Sequence, residues 1–409
     1  MNHRNRVLGM VALLLIITYL DRVCISVAGP RMQEALGIGP VAWGWVGSVF
    51  TLAYGLFEIP MGALGDRIGP RRVLTRIVLW WSAFTTFTGM VTGFYPLLIT
   101  RFFFGVGEAG AFPNAAIALA RWFPVHERGR ALGIGLMAGQ VGGAIAPLLV
   151  VPIQANYGWR ASFYAFGILG VVWSLVWYRW YRDSPAEMAG VSDAEREETR
   201  GLATKAHHAL PWRIAIRSSN LWVTMAVAYC YVYTYSFFQT WFHTFLVKAR
   251  GFNEHDLLLT SLPYVLGAVA NVCGGIASNA MVKRFGLRKG RRSVGAVGLA
   301  VASISAAGIL LTHDAFLSLV LLCVVYGAIA FQQPGMFAVC LDIGGNYGGT
   351  VVGAMNTAAY VGAFTSSLAF GYLYSWTGSY DAPFIPMAVL LLLGAYLWMK
   401  VDASEQLVA

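Results

Sequence analysis

Apolar residues run through this chain in long blocks, broken at short intervals by glycine, proline and clusters of charge. A helix needs about 20 mostly apolar residues to cross a bilayer, and the blocks are of that length. Reading runs between breaks gives twelve spans, at residues 7–28, 42–64, 73–93, 95–116, 130–153, 160–181, 220–247, 257–281, 294–312, 315–340, 349–375 and 382–400. Between the sixth and seventh lies the one long polar stretch, residues 182–219. It holds Ser184-Pro185, a helix-start pair, and a charged run at 193–200 that reads as a short surface helix and linker. The pattern predicts an all-α membrane protein: a six-helix bundle over residues 1–181, a linker over 182–219 and a second six-helix bundle over 220–409.

Composition agrees. The chain has 409 residues, 57% of them hydrophobic and only 12% charged, against about half and about a quarter in soluble domains. Disorder, a disulfide scaffold and a large soluble domain are excluded. Cys24, Cys230, Cys273, Cys323 and Cys340 all lie in or at the ends of apolar runs, an odd number with no loop pair. The first run resembles a secretory signal, but Asp21 and Arg22 interrupt it before any cleavage site and a second run follows, so it reads as a retained helix.

The net charge of +10 acquires meaning from its placement. With the N-terminus inside, only Arg31, Arg160, Lys248 and Arg250 fall in outside loops, and Arg22 and Arg101 lie within spans. Every other Lys and Arg is on the inside. The positive-inside rule then puts both termini and the linker in the cytoplasm, and the basic excess gives no support to nucleic-acid binding. The halves also echo each other at an offset near 220: Gly107, Gly129, Gly133, Val141 and Gly142 recur as Gly327, Gly349, Gly353, Val361 and Gly362. The stretch at 62–72, with Asp66, Arg67, Gly69, Arg71 and Arg72, has a degraded echo from Gly275 through Ser278 to Arg292. Such repeats belong to transporters that place the substrate between two halves near the midplane and rock one half against the other.

Charges within spans cost about 2.5 to 3.5 kcal/mol each, so they face a cavity or one another. Here they are Asp21 and Arg22 on the first span, Glu58 on the second, and Arg101 and Glu108 on the fourth. Arg101 and Glu108 are two helical turns apart and share a face. An acid and a base on each of two helices make a neutral network, whose alternative reading is an ion-pair cluster that only holds two helices together. At the repeat offset Arg101 corresponds to Leu321 and Glu108 to Ala328, so the network belongs to the first half alone. The second half offers uncharged groups instead: Tyr233, Tyr235, Gln239, Asn271, Gln332, Gln333, Asn356 and Tyr360. Gln332 and Asn356 stand out beside small residues.

These residues carry a resemblance over nearly the whole chain. The stretch at 62–72 is similar to the signature between the second and third helices of the major facilitator superfamily. Leu20-Asp21-Arg22-Val23-Cys24-Ile25-Ser26 resembles the first-helix motif of its anion:cation symporter family, which includes bacterial hexuronate, galactonate and glucarate transporters and sialin-like proteins. Arg101, Gly105, Glu108-Ala109, Phe112-Pro113, Trp122-Phe123-Pro124 and Glu127-Arg128-Gly129 fit the same family, as do Tyr157-Gly158-Trp159-Arg160 and Phe163. The resemblance implies that Arg22 holds a substrate carboxylate, that Asp21 and Glu108 take up protons and that Arg101 organises those acids. It also implies that Tyr54, Gln140 and Asn356 line the substrate cavity. One departure falls on the seventh span: where the family carries a proline, this chain reads Thr240-Trp241-Phe242-His243, so gating there is expected to differ. Glu58 reads as support for the loop beside it. The small residues Gly139, Gly142, Gly143 and Pro147 match an antiporter signature only in part, and close helix packing accounts for them.

The 62–72 stretch also has its own physics. Asp66 can accept from the end of a facing helix while Arg67 and Arg71 reach the partner half, a cytoplasmic latch made at the Gly69 turn. Importing a monoanion into a negative interior costs about 2.3 kcal/mol per 100 mV, which calls for a compensating cation. Burial and a nearby arginine push a carboxyl in opposite directions, so an anion arriving at Arg22 weakens its hold on Asp21 and favours protonation. The expectation is a proton-coupled importer of a small organic anion, a sugar acid of hexuronate or aldonate type, acting as a monomer in the bacterial inner membrane. An exchanger or exporter on the same fold is the nearest alternative, and a channel or sensor the alternative from another class. Seven histidines with no H-E-x-x-H and no paired Cys/His spacing give no support for an enzyme, a metal or a cofactor.

Overall fold

A computed structural model describes residues 3–188, 190–191, 216–253 and 256–406; the charged run at 193–200 lies outside them. Among the described residues there is no strand. The helices are α1 (His3–Leu36), α2 (Pro40–Ile68), α3 (Pro70–Met90), α4 (Phe94–Glu108), α5 (Ala111–Trp122), α6 (Val125–Tyr157) and α7 (Trp159–Trp180), followed by α8 (Ser219–Thr240), α9 (Phe242–Arg250), α10 (Leu262–Ile309), α11 (Ala315–Gly344), α12 (Gly348–Thr377) and α13 (Phe384–Trp398). They account for all twelve spans. The fourth span is α4 and α5 in series and the seventh is α8 and α9, while α10 carries the eighth and ninth on either side of a turn at Gly286, where φ is 79°. In hydrocarbon each backbone polar group must be satisfied within the chain, which is why the whole fold is helical.

Helix ends run past the apolar runs. α1 continues through Pro30 and Arg31 and stops where Gly37 takes a left-handed φ of 62°. Charge marks where a chain leaves the hydrocarbon, whereas a helix stops at a residue able to turn it.

The chain divides into two compact units, Met1–Cys24 with Leu52–His207, and Ile25–Thr51 with His208–Ala409. The division passes through α1 and α2, leaving α1 up to Cys24 and α2 from Leu52 in the first unit and the rest of each in the second. Close helix packing in each unit rests on glycine. A Cβ on Gly142 of α6 would collide with the Ile16 carbonyl oxygen of α1, and one on Gly362 of α12 would lie 2.6 Å from that of Tyr229 on α8. These two glycines correspond in the repeat, so the sequence echo records a packing contact made twice. For Gly142 and its neighbours, packing by small residues is thus sufficient.

A candidate anion and proton site

The site in the first unit is built on three helices. α1 carries Asp21 and Arg22, α2 carries Tyr54 and Glu58, and α4 carries Arg101 and ends on Glu108. The chain turns at Gly110, with φ 85°, before α5 begins. A Cβ on Gly110 would collide with that of Met61, and Asn114 donates to the Met61 and Gly110 carbonyls, so the break is packed and hydrogen-bonded. Glu108 therefore sits at the C-terminal end of a helix, where the dipole disfavours a negative charge. Arg22 balances it: its Nε donates to Glu108 Oε1 at 2.5 Å.

Arg22 also lies over two rings, with its guanidinium carbon 4.6 Å from the centre of Tyr54 and 5.7 Å from that of Tyr19. The aromatic faces hold the cation by electrostatic attraction and fix its direction. Its side chain keeps 19% of its surface exposed, against 1% for Glu108. The base can be approached, then, while its acid partner is sealed behind it. On α6, Gly139 packs against the Tyr19 ring and brings the buried Gln140 alongside.

Asp21 is arranged differently. Both its oxygens are buried without a hydrogen bond, and its electrostatic neighbours are Glu108 and Arg101, with the Trp81 indole N–H also close. Arg101 is buried between the acids, with its guanidinium 4.4 Å from the Phe104 ring centre. Glu58, half-buried, falls within range of Arg22. The expected neutral cluster is thus assembled, with one change of partner: the hydrogen bond from Arg22 goes to Glu108, not to Asp21. Adjacent residues on α1 point roughly 100° apart, which lets Arg22 face α4 while Asp21 turns toward Trp81. Tyr19, three residues before Arg22, was legible as a same-face neighbour; Trp81 had no signal.

In the second unit, Gln332 is buried on α11 with neither amide atom hydrogen-bonded, packed against Gly298 of α10. Asn356 is half-buried on α12. Asn271 donates to Gln333 at 3.2 Å, and Tyr235 stacks on Tyr326 with its hydroxyl accepting from Gln239 at 3.3 Å. His243, the departure from the family pattern, is buried and bonded on both ring nitrogens.

The 62–72 stretch forms a clamp within the first unit. Gly69 adopts φ 86°, and a Cβ there would collide with Asp183 Oδ2, so a side chain is excluded. Asp183 Oδ1 accepts from the Arg71 backbone N–H at 2.9 Å, supplying the N-terminus of α3 with the acceptor that its own residues lack. Arg71 does not reach the partner half as expected: its side chain donates to the Tyr178 carbonyl from Nε and Nη2 and lies over the Tyr178 ring, which holds it at the end of α7, while Arg67 is exposed. Asp66 lies in the last turn of α2; its side chain is outside the described residues. The second unit repeats the device. Arg292 donates to the Val401 and Lys400 carbonyls, and Asp402 takes Arg288 at 2.8 Å. Partial burial by itself raises the Asp402 carboxyl, but the Ser404 hydroxyl and N–H and the two arginines hold it below its ordinary value. Asp183 and Asp402 were missed in the sequence, although their separation is close to the repeat offset and marks them as a pair.

Twelve spans in two related halves, with charges gathered in one of them, define a membrane transporter of the two-bundle kind. Residues 11–367 match the model of the Major Facilitator Superfamily, and the chain belongs to that family. It is 37% identical over 398 residues to a protein of Cupriavidus necator named Probable sulfoacetate transporter SauU, covering 96% of this chain and 92% of that one. It is 28% identical to the Hexuronate transporter of Bacillus subtilis (90% and 88% covered) and 29% identical to the D-galactonate transporter of Escherichia coli (96% and 94%). A crystal structure of a bacterial homolog of the human lysosomal transporter Spinster, inward-facing and unoccupied, superposes with a TM-score of 0.79 at 18% identity, over 97% of this chain and 96% of that one. The protein is a multi-pass membrane transporter and not an enzyme.

Proposed function

We propose that this protein imports a small organic anion together with protons by alternating access of its two six-helix halves, 1–181 and 220–409. The observation that carries the reading is the bond from Arg22, partly exposed, to Glu108, sealed at the end of α4. An arriving carboxylate competes with Glu108 for the same guanidinium. Once displaced, Glu108 is a buried carboxylate at the negative end of a helix with no cation bonded to it, and taking up a proton relieves that cost. The empty network is neutral, the anion makes it negative by one, and one proton restores neutrality. Asp21, which holds no hydrogen bond, is the place for a second proton; loading both moves positive charge inward, so the membrane potential drives uptake.

We assign Tyr54 and Gln140 of the first unit, and Gln332 and Asn356 of the second, to the rest of the substrate. The relatives named for hexuronate, galactonate and sulfoacetate share one chemistry, an acid group on a small polar body, and a sugar acid fits the hydroxyl-binding groups best. The orientation proposed has both termini in the cytoplasm and the chain in the inner membrane as a monomer, with the exposed Arg67 at the cytoplasmic latch. The test is accumulation in proteoliposomes under an imposed inward proton gradient, with D-glucuronate, D-galactonate and sulfoacetate as probes. At least one is expected to accumulate, and Arg22→Ala is expected to abolish its binding. Uptake only against an internal counter-anion would replace import by exchange, and retained affinity in Arg22→Ala would place the anion elsewhere.

A further inference from the structure

The seventh span breaks at Trp241, where α8 gives way to α9, although no proline stands there. A break in hydrocarbon releases carbonyls that need donors. They are found on several elements of the second unit: Trp43 Nε1 donates to the Thr240 carbonyl at 3.1 Å, and the Tyr264 hydroxyl donates to that of Phe238 at 3.1 Å. His243, the second residue of α9, adds a side-chain relay. Its Nδ1 is 2.9 Å from Ser26 Oγ on α1, and its Nε2 is 2.8 Å from Thr260 Oγ1 on the turn before α10.

Proton accounting orders this relay. The Thr260 hydroxyl donates to the Leu257 carbonyl at 2.5 Å, so toward His243 it offers a lone pair and Nε2 must carry the proton. Nδ1 is then the acceptor and takes the Ser26 hydroxyl. Ser26 lies one helical turn beyond Arg22 on the same helix. A second bond beside it, from Gln33 Nε2 to Thr244 Oγ1 at 2.8 Å, fastens the same stretch of α1 to α9.

We propose that His243 is a positioning residue of the transport cycle: through Ser26 and Thr260 it latches the outer half of α1 to the α8–α9 break, and release of this latch is the step that opens the outer side. The proposal rests on the transport reading for its meaning but not for its measurement. In a chain with its five cysteines replaced and the substitution Ala28→Cys introduced at a buried position of α1, the rate of labelling by a membrane-impermeant maleimide reports opening without any substrate. His243→Ala is expected to raise that rate about tenfold, the scale of one buried hydrogen bond. The milder Ser26→Ala should do the same, and the double substitution should add nothing further, because the bond that joins α1 to His243 is already absent in each single variant. His243→Gln, which carries a donor and an acceptor, should bring the rate back toward that of the parent. Unchanged labelling in Ser26→Ala, or additive effects in the double variant, overturns the latch. Anion accumulation measured on the same vesicles separates the two ideas: altered labelling without any anion uptake defeats the transport reading alone, and uptake with unaltered labelling defeats the latch alone.

Discussion

Replacing Glu108 by Gln removes a charge while keeping shape and an acceptor, and its two consequences run in opposite directions. A hydrogen bond to a charged partner contributes about 1.5 to 3 kcal/mol net, and a neutral one about 1 kcal/mol. The glutamine therefore holds Arg22 less firmly than the glutamate by about 1 to 2 kcal/mol, and an incoming carboxylate no longer has to overcome that difference. The full difference applies because Glu108 is sealed from solvent, with only 1% of its side chain exposed. Anion affinity should rise about five- to thirtyfold. Accumulation should nevertheless vanish, because the glutamine amide cannot load the proton that accompanies the anion, while exchange of labelled for unlabelled anion at equal concentration continues. Calorimetric titration in detergent measures the first, and proteoliposome uptake with and without an imposed pH gradient measures the second. A variant that binds more weakly than the parent would show that Glu108 does not compete with substrate. One that still accumulates anion to the parental ratio would remove Glu108 from proton coupling.

Arg250 should be a structural determinant of the second unit. Its side chain is 1% exposed and donates to Asp381 at 2.6 Å, to Ser318 at 2.7 Å and to the Thr312 carbonyl at 3.1 Å, so Arg250→Gln leaves buried acceptors without their donor and the part-exposed Asp381 without its cation, and should destabilise by about 1 to 3 kcal/mol, read as a lowered thermal midpoint; an unchanged midpoint would contradict the burial argument. At Gly69→Ala, a positive φ and a collision with Asp183 act together, and a loss of about 1 to 3 kcal/mol is expected; measured in the Asp183→Ala background, where the α3 acceptor is already gone, the same substitution should cost less by the part due to collision, and an undiminished cost would mean that backbone strain alone is responsible.

How much of this was legible beforehand depends on the kind of signal. The spans, their number and the division into related halves follow from hydrophobic blocks and charge, because a bilayer leaves a chain few ways to satisfy its backbone. The grouping of Arg22, Arg101, Asp21 and Glu108 was legible for the same reason, since charges in hydrocarbon have to find one another. Which acid takes Arg22 was not, because it depends on the rotation of α1 against α4, which the spacing of charges along the chain does not record. The breaks at Gly110 and Trp241 were likewise hidden within continuous apolar runs. Gly69 was conspicuous in the sequence, but its partner Asp183 lies more than a hundred residues away and only the repeat links it to Asp402.

The two breaks suggest where motion is located. Elsewhere both units are stapled: glycines bring backbones into contact at Gly142 and Gly362, and arginine clamps join helix ends at Arg71 and Arg292. A bundle packed in this way changes by discrete steps at its weak points and not by general deformation. Glu108 is the last residue before one break, and His243 stands just after the other. A helix end is also where carbonyls lack partners and a side-chain charge or hydrogen bond counts most. Binding events at such places can shift the backbone at low cost, which is the arrangement that discontinuous helices provide in transporters. The unit division passes through α1 between Cys24 and Ile25, so Arg22 and Ser26 lie on either side of it, one turn apart. Both proposed sites therefore act on consecutive turns of one helix, and Glu108→Gln measured by the labelling rate of the latch tests whether they act together.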